Sequence, residues 1–202
     1  MNIVCLDLEG VLVPEIWIAF SKETGIEKLK LTTRDEPDYD KLMKYRLDIL
    51  KEHNLKLQDI QKTISSVKVL DGAKEFLDEL RSLTQVVILS DTFSEFAAPL
   101  MKQLGYPTIF CNSLEVSADG EILDYKLRMP DGKRKAIEAF KNINYKTFAA
   151  GDSYNDLSMI RKADAGCLFK APKSILEEEK DLVLTTNYAD FLVEIKKFLN
   201  NN

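Results

Sequence analysis

Ile3-Val4-Cys5-Leu6-Asp7-Leu8-Glu9-Gly10 runs from an unbroken apolar stretch into two carboxylates and a glycine. A short apolar run bounded by a turn signal marks a strand buried on both faces of a parallel sheet. The pattern predicts a strand over Ile3–Leu8, with Asp7 and Glu9 at its C-terminal end. Val86–Leu89, Thr108–Cys111, Thr147–Ala150 and Ala165–Phe169 repeat it. Between them lie apolar residues at helical spacing, over Ala73–Leu83, Ser94–Leu104, Lys133–Phe140 and Asp190–Leu199. Strands alternating with helices predict an α/β fold, an open parallel sheet flanked by helices.

Two segments break the rhythm. From Pro14 to Val69 there is no strand pattern, but helical spacing recurs at Tyr39–Leu50 and Leu57–Ile64. A connection this long exceeds a simple crossover and predicts a helical cap inserted after the first strand. The domain division expected is a core of residues 1–13 and 70–202 and a cap of residues 14–69. The second segment is Ser113–Arg128, where Ser117-Ala118-Asp119-Gly120 separates two alternating runs and predicts a small β-hairpin.

Composition narrows the chemistry. The chain has 202 residues, one histidine and three cysteines, and a net charge of −5. One imidazole and no CxxC pair exclude a His-rich or Cys-rich zinc site. A Ser-His-Asp triad would rest on His53, which lies in the polar run Lys51-Glu52-His53-Asn54 and reads as a solvated helix end. Cys5, Cys111 and Cys167 fall in predicted strands and read as buried small apolar residues. Unpaired cysteines fit a reducing compartment. No basic stripe suggests a nucleic-acid partner, and no apolar run is long enough to span a membrane. The N-terminal stretch lacks a signal peptide's basic region and cleavage site, so a cytoplasmic location is expected.

In an open α/β sheet, ligands bind beyond the C-terminal strand ends. Four distant segments meet there: Asp7-Leu8-Glu9, Ser90-Asp91-Thr92, Asp131-Gly132-Lys133, and Gly151 to Asp156 (GDSYND). Together they offer carboxylates, a hydroxyl and a lysine, which is the equipment of phosphoryl transfer. Asp7 and Asp152 would hold a hard divalent cation such as Mg²⁺, with Asp156 supporting the metal shell. Asp7 can also attack phosphorus. Glu9, two residues on, would share a strand face with Asp7 and act as acid and base. Ser90 and the amides after it would bind phosphoryl oxygens, and Lys133 would neutralise charge. Each residue also has a plainer role open to it. Ser90 can cap the following helix, Asp152 and Ser153 can cap the next one with Asp156 in its first turn, and Lys133 can be a solvated lysine.

Asp7-Leu8-Glu9-Gly10-Val11-Leu12-Val13, Ser90-Asp91-Thr92, Lys133 and GDSYND resemble the four motifs of the haloacid dehalogenase-like phosphatases. The resemblance covers nearly the whole chain. Within that superfamily the sequence is similar to phosphoserine phosphatases. The openings CLDLEGVLVPEIWIAF and VVILSDTF resemble a bacterial branch that also transfers the phosphoryl group from phosphoserine to homoserine. The resemblance implies a Rossmannoid core, a Mg²⁺ cofactor and L-phosphoserine as substrate. It implies Asp7 as nucleophile and metal ligand, a metal bond from the Glu9 carbonyl, and Asp152 as the third protein ligand. Asn155 would contact the phosphate region. Glu15 would bind the substrate ammonium and Arg46 its carboxylate, a pairing suited to a planar guanidinium. Without the family, Glu15 is also an ordinary first-turn acid and Arg46 a surface helix arginine.

Two positions depart from the usual family pattern. Glu9 stands where most members have Asp, and Asp91-Thr92 follow Ser90 where glycines are usual. A carboxylate beside a phosphate is unfavourable unless it points away, caps the next helix or meets a cation. Both departures match the bifunctional branch. A different class with similar parts is the phospho-aspartate receiver, a switch module. A receiver has no use for an acid two residues after its aspartate, nor for an insertion of about 55 residues. A catalytically dead binding module is disfavoured because Asp7, Ser90, Lys133 and Asp152 are all present.

Overall fold

The computed structural model describes residues 1–32, 35–36 and 38–201. Among the described residues seven strands form one sheet: β1 (Asn2–Leu6), β2 (Gln85–Phe93), β3 (Ile109–Val116), β4 (Ile122–Lys126), β5 (Lys146–Gly151), β6 (Ala165–Phe169) and β7 (Val183–Thr185). Their order is β4-β3-β2-β1-β5-β6-β7, parallel except for the β3–β4 hairpin. Among the described residues nine α-helices accompany them: α1 (Ile16–Thr24), α2 (Tyr39–Glu52), α3 (Leu57–Ser66), α4 (Ala73–Leu83), α5 (Ser94–Gln103), α6 (Gly132–Asn142), α7 (Leu157–Lys162), α8 (Lys173–Glu178) and α9 (Tyr188–Asn200).

The period-2 alternation of the central strands sorts the core into two layers. Val4 and Leu6 of β1, with Phe148 and Ala150 of β5, face α4, α5 and α9. Ile3, Cys5 and Ala149 face α6, α7 and α8. Burial on both faces is why β1 reads as a continuous apolar run. The helices α1 to α3 lie between β1 and β2 in sequence, and Trp17, Phe20, Met43, Ile60 and Ile64 continue the first layer. The chain leaves the sheet region after Val13 and returns at Leu70, whose N–H donates to the Leu12 carbonyl at 3.0 Å.

Several elements differ from the sequence expectation. β1 ends at Leu6 rather than Leu8. The Asp7 N–H still donates to the Ala150 carbonyl at 2.9 Å, but Gly10, at φ +74°, then turns the chain so that the Val13 N–H reaches back to the Leu8 carbonyl. Glu9 therefore lies in a turn, and the shared strand face expected for Asp7 and Glu9 does not exist. β2 runs on through the polar Ser90-Asp91-Thr92, so Ser90 does not cap α5; Phe93 holds that position without a side-chain hydrogen bond. The two predicted runs at Thr108–Cys111 and Leu114–Val116 are one strand, β3. β7 has only three residues and was not expected. Cys5 and Cys167 are buried as expected, whereas Cys111 is only half-buried. Among the described residues no helix is long and apolar enough to cross a membrane.

Candidate active site

The C-terminal strand ends and the inserted helices enclose a cavity of about 810 Å³. Asp7, Glu9, Glu15, Arg46, Ser90, Asp91, Thr92, Lys133, Asp152 and Asn155 all line it. Asp156 sits behind its wall, fully buried. The structure thus brings the residues expected to carry the phosphoryl-transfer chemistry and substrate binding to one space.

At the sheet end, the Lys133 ammonium is the hub. It lies 2.9 Å from Asp7 Oδ1, 2.8 Å from Asp156 Oδ1 and 3.6 Å from Asp91 Oδ2. Burial alone would lower the lysine's proton affinity. Asp156, Asp7 and Asp91 outweigh it and hold Lys133 well above the usual lysine range. Asp7 has the reverse problem. Burial, then Asp156 and Asp152, push its carboxyl well above the ordinary aspartate value, and Lys133 offsets only part of that.

Asp156 accounts for the geometry of the GDSYND turn. Its Oδ2 accepts from the amides of Asp152 (3.0 Å) and Ser153 (3.1 Å) and from Ser153 Oγ (3.2 Å), while Oδ1 takes Lys133. Ser153 and Asp156 form a capping box at the start of the following turn, with Asp156 in the first turn as expected. Ser153 Oγ also donates to Asn155 Oδ1.

The donor set suits a hard divalent cation. Asp7, Asp152 and Asp156 can each offer an oxygen within 4.8 Å of the others. Both Asp156 oxygens are already engaged by Lys133 and the turn donors. Gly10 completes the fit, since a side chain there would collide with the Asp152 carboxylate.

At the insertion end, Arg46 is buried on the apolar face of α2, beside Leu42, Met43, Ile49 and Leu50. Its guanidinium stacks 4.5 Å over the Trp17 ring. Nη2 donates to the Leu31 carbonyl at 2.7 Å. Nε is buried with no partner, the one such side-chain atom among the described residues. Burial lowers the Arg46 pKa to about 10 against the pull of Glu9, Tyr39 and Glu15. The Glu9 side chain lies at the same end, near Arg46 and Glu15. Its Oε2 accepts from the Ile16 N–H at the start of α1, 2.8 Å away. Burial, then Glu15, raises its carboxyl to about 8.

Between the ends, the Asp91 carbonyl accepts from Tyr39 Oη (3.2 Å) and Asn112 Nδ2 (3.0 Å). Asp91 Oδ2 accepts from Asn155 Nδ2 at 2.9 Å. Asp91 thus meets a cation and caps no helix. Sequence reasoning missed Trp17, Tyr39 and Asn112. Tyr39 stands seven residues before Arg46, on the same helical face. That spacing was a usable signal for Tyr39, and Asn112 offered none.

The haloacid dehalogenase-like hydrolase family model matches residues 1–164 of the chain. The chain belongs to the haloacid dehalogenase-like hydrolase family. Among curated relatives of this hydrolase, the Pseudomonas aeruginosa protein named phosphoserine phosphatase ThrH is 55% identical over 197 residues, 98% of this chain and 96% of the relative. The Pseudomonas syringae pv. tomato phosphoserine phosphatase is 59% identical over 178 residues, 88% of this chain and 75% of the relative. A crystal structure of an apo phosphoserine phosphatase superposes with a TM-score of 0.74 at 25% identity, covering 92% of this chain and 94% of that one. The hydrolase's α/β fold matches the expectation from its strand and helix pattern.

Proposed function

We propose that this hydrolase is a Mg²⁺-dependent phosphatase that converts L-phosphoserine to L-serine and phosphate through an aspartyl-phosphate on Asp7. One observation carries the substrate reading. The cavity that has Asp7 and Lys133 at one end has, at its other end, a buried arginine with an unpaired Nε beside Glu15. Such a cavity suits a phosphate ester whose other end bears a carboxylate and an ammonium. The names of the two Pseudomonas relatives support the same substrate. A receiver-type switch would leave Arg46 and Glu15 without a role.

The ester's phosphoryl oxygens would lie against Lys133, Ser90 and Asn155, with the Arg46 fork on the carboxylate and Glu15 on the ammonium. Asp7 attacks phosphorus, the phosphorus–oxygen bond to serine breaks, and Glu9 gives its proton to the departing serine oxygen. A carboxyl held at about 8 carries that proton at neutral pH. Glu9 then takes a proton from water as water attacks the phosphorus and releases Asp7. Homoserine in place of water would give phosphohomoserine with the same residues. Asp7, Asp152 and the Glu9 carbonyl would hold Mg²⁺, which when bound offsets the negative charge of the aspartates and the phosphate. Residues 14–69 would serve as the cap that excludes water from a core of residues 1–13 and 70–202.

The test is incubation with phosphoserine and Mg²⁺, with and without homoserine, measuring phosphate and phosphohomoserine together. Phosphate release is expected, and phosphohomoserine in the second arm supports the transfer. Neither product from a folded protein would overturn the proposal.

A further inference from the structure

The residue that fits a phosphate site least is Asp91. It adds a third carboxylate around Lys133, after Asp7 and Asp156. Yet the structure holds it there. Its carbonyl is clamped from two sides by Tyr39 and Asn112, and Asn112 is itself buried, with its Oδ1 accepting from the Arg128 N–H at 2.9 Å. The Asp91 side chain, by contrast, is 44% exposed to the cavity. A fixed backbone with an exposed carboxylate is the arrangement of a group that swings about one point.

Its partners are informative. Asp91 Oδ2 takes the Asn155 amide at 2.9 Å and approaches Lys133 at 3.6 Å. On the function proposed above, these two donors receive the phosphoryl oxygens. We infer that the Asp91 carboxylate is a resident competitor of the phosphoryl group, which holds Lys133 and Asn155 and must be displaced when a phosphate enters. This inference rests on that proposed function. The displaced carboxylate stays tethered beside the phosphate, and like charges at close range weaken binding. The penalty falls on every phosphate ligand. One that also reaches Arg46 and Glu15 recovers the loss, and free phosphate cannot. Asp91 would therefore favour release of the inorganic product and set a threshold that bare phosphate fails to pass.

The test compares wild type with Asp91→Asn, which keeps the shape and an acceptor for Asn155 but removes the charge. Asp91→Ser is a second variant, and thermal melting checks that both fold. Inhibition of phosphoserine turnover by inorganic phosphate is measured, with direct calorimetric titration of phosphate alongside. The neutral variants are expected to bind inorganic phosphate roughly tenfold more tightly, as one unit charge is removed at a water-screened cavity mouth. Unchanged or weaker phosphate binding overturns the inference. So does a higher KM for phosphoserine with phosphate inhibition unchanged, which would make Asp91 an ammonium anchor. A wild-type crystal soaked in phosphate gives a further check: the Asp91 carboxylate should have left Lys133 and Asn155, and its persistence on both beside bound phosphate refutes the competition. Failure of these tests in an enzyme that hydrolyses phosphoserine sinks this inference alone. A wild type that neither turns over phosphoserine nor binds phosphate sinks the proposed function with it.

Discussion

Replacing Arg46 by methionine separates substrate recognition from packing. Methionine keeps an unbranched apolar chain against Trp17 and removes the guanidinium. The guanidinium makes one good hydrogen bond within the protein, to the Leu31 carbonyl, and leaves Nε buried without a protein partner. Losing the orphaned donor relieves about 1–3 kcal/mol. Losing the contact over Trp17 costs up to about 2 kcal/mol. Losing the hydrogen bond to Leu31 costs about 1.5–3 kcal/mol more. The relief offsets only part of the cost, and a net loss of about 1–2 kcal/mol should lower the melting temperature by roughly 2–8 °C in a domain of this size. Binding has no such offset. A charged hydrogen-bonded contact to a carboxylate contributes about 1.5–3 kcal/mol. That predicts a loss of roughly 10- to 150-fold in kcat/KM for phosphoserine, mostly through KM. Steady-state kinetics on phosphoserine and on p-nitrophenyl phosphate, which lacks the amino-acid end, read the difference. The aryl ester should lose less than about threefold, a factor worth under 1 kcal/mol. Equal losses on both substrates would show that Arg46 is structural and refute the argument.

Three further outcomes follow from the same geometry. Asp156→Ala leaves two turn amides without their acceptor and Lys133 with Asp7 as its one remaining close carboxylate, so it should destabilise the fold by about 2–4 kcal/mol in urea unfolding; a loss under about 1 kcal/mol would contradict that role. Gly10→Ala forces a side chain onto a left-handed backbone and into the Asp152 carboxylate, so it should raise the Mg²⁺ concentration needed for half-maximal activity several-fold; an unchanged Mg²⁺ titration would count against the cradle. Glu9 is raised in the folded state from its ordinary 4.5 to about 8, so folding takes up a proton. Its contribution is present in full below the unfolded value and is lost as pH rises through about 8. Stability of Glu9→Gln relative to wild type should therefore increase from about pH 5 to pH 8, by at most about 1.4 kcal/mol per pH unit, then level off; parallel pH–stability curves would refute the shift.

The sequence was most legible where burial is symmetric. Val4, Cys5 and Leu6 are fully buried on two faces, so hydrophobicity alone marked β1. Asp7 was legible for the same reason, as a carboxylate directly following such a run. β2 was cut short because its last residues line a ligand cavity and are polar for that reason, which erases the strand pattern. β7 is short and half-exposed, and it offered too few apolar residues to register. Arg46 was identifiable by resemblance, and it also had a physical sign, being a charge on the apolar stripe of α2 formed by Leu42, Met43, Ile49 and Leu50. The placement of Glu9 beside Arg46 and the Ile16 amide depends on a turn about Gly10 that no periodicity encodes.

The proposed reaction requires Asp7 to carry the phosphoryl group. The direct measurement is an acid quench of the enzyme with Mg²⁺ and phosphate-labelled phosphoserine, followed by peptide mapping of any hydroxylamine-sensitive label. Label is expected on the peptide containing Asp7, and none on a folded Asp7→Asn variant that also fails to release phosphate. Phosphate release at near-normal rate by Asp7→Asn, or label on another residue, would contradict that role of Asp7.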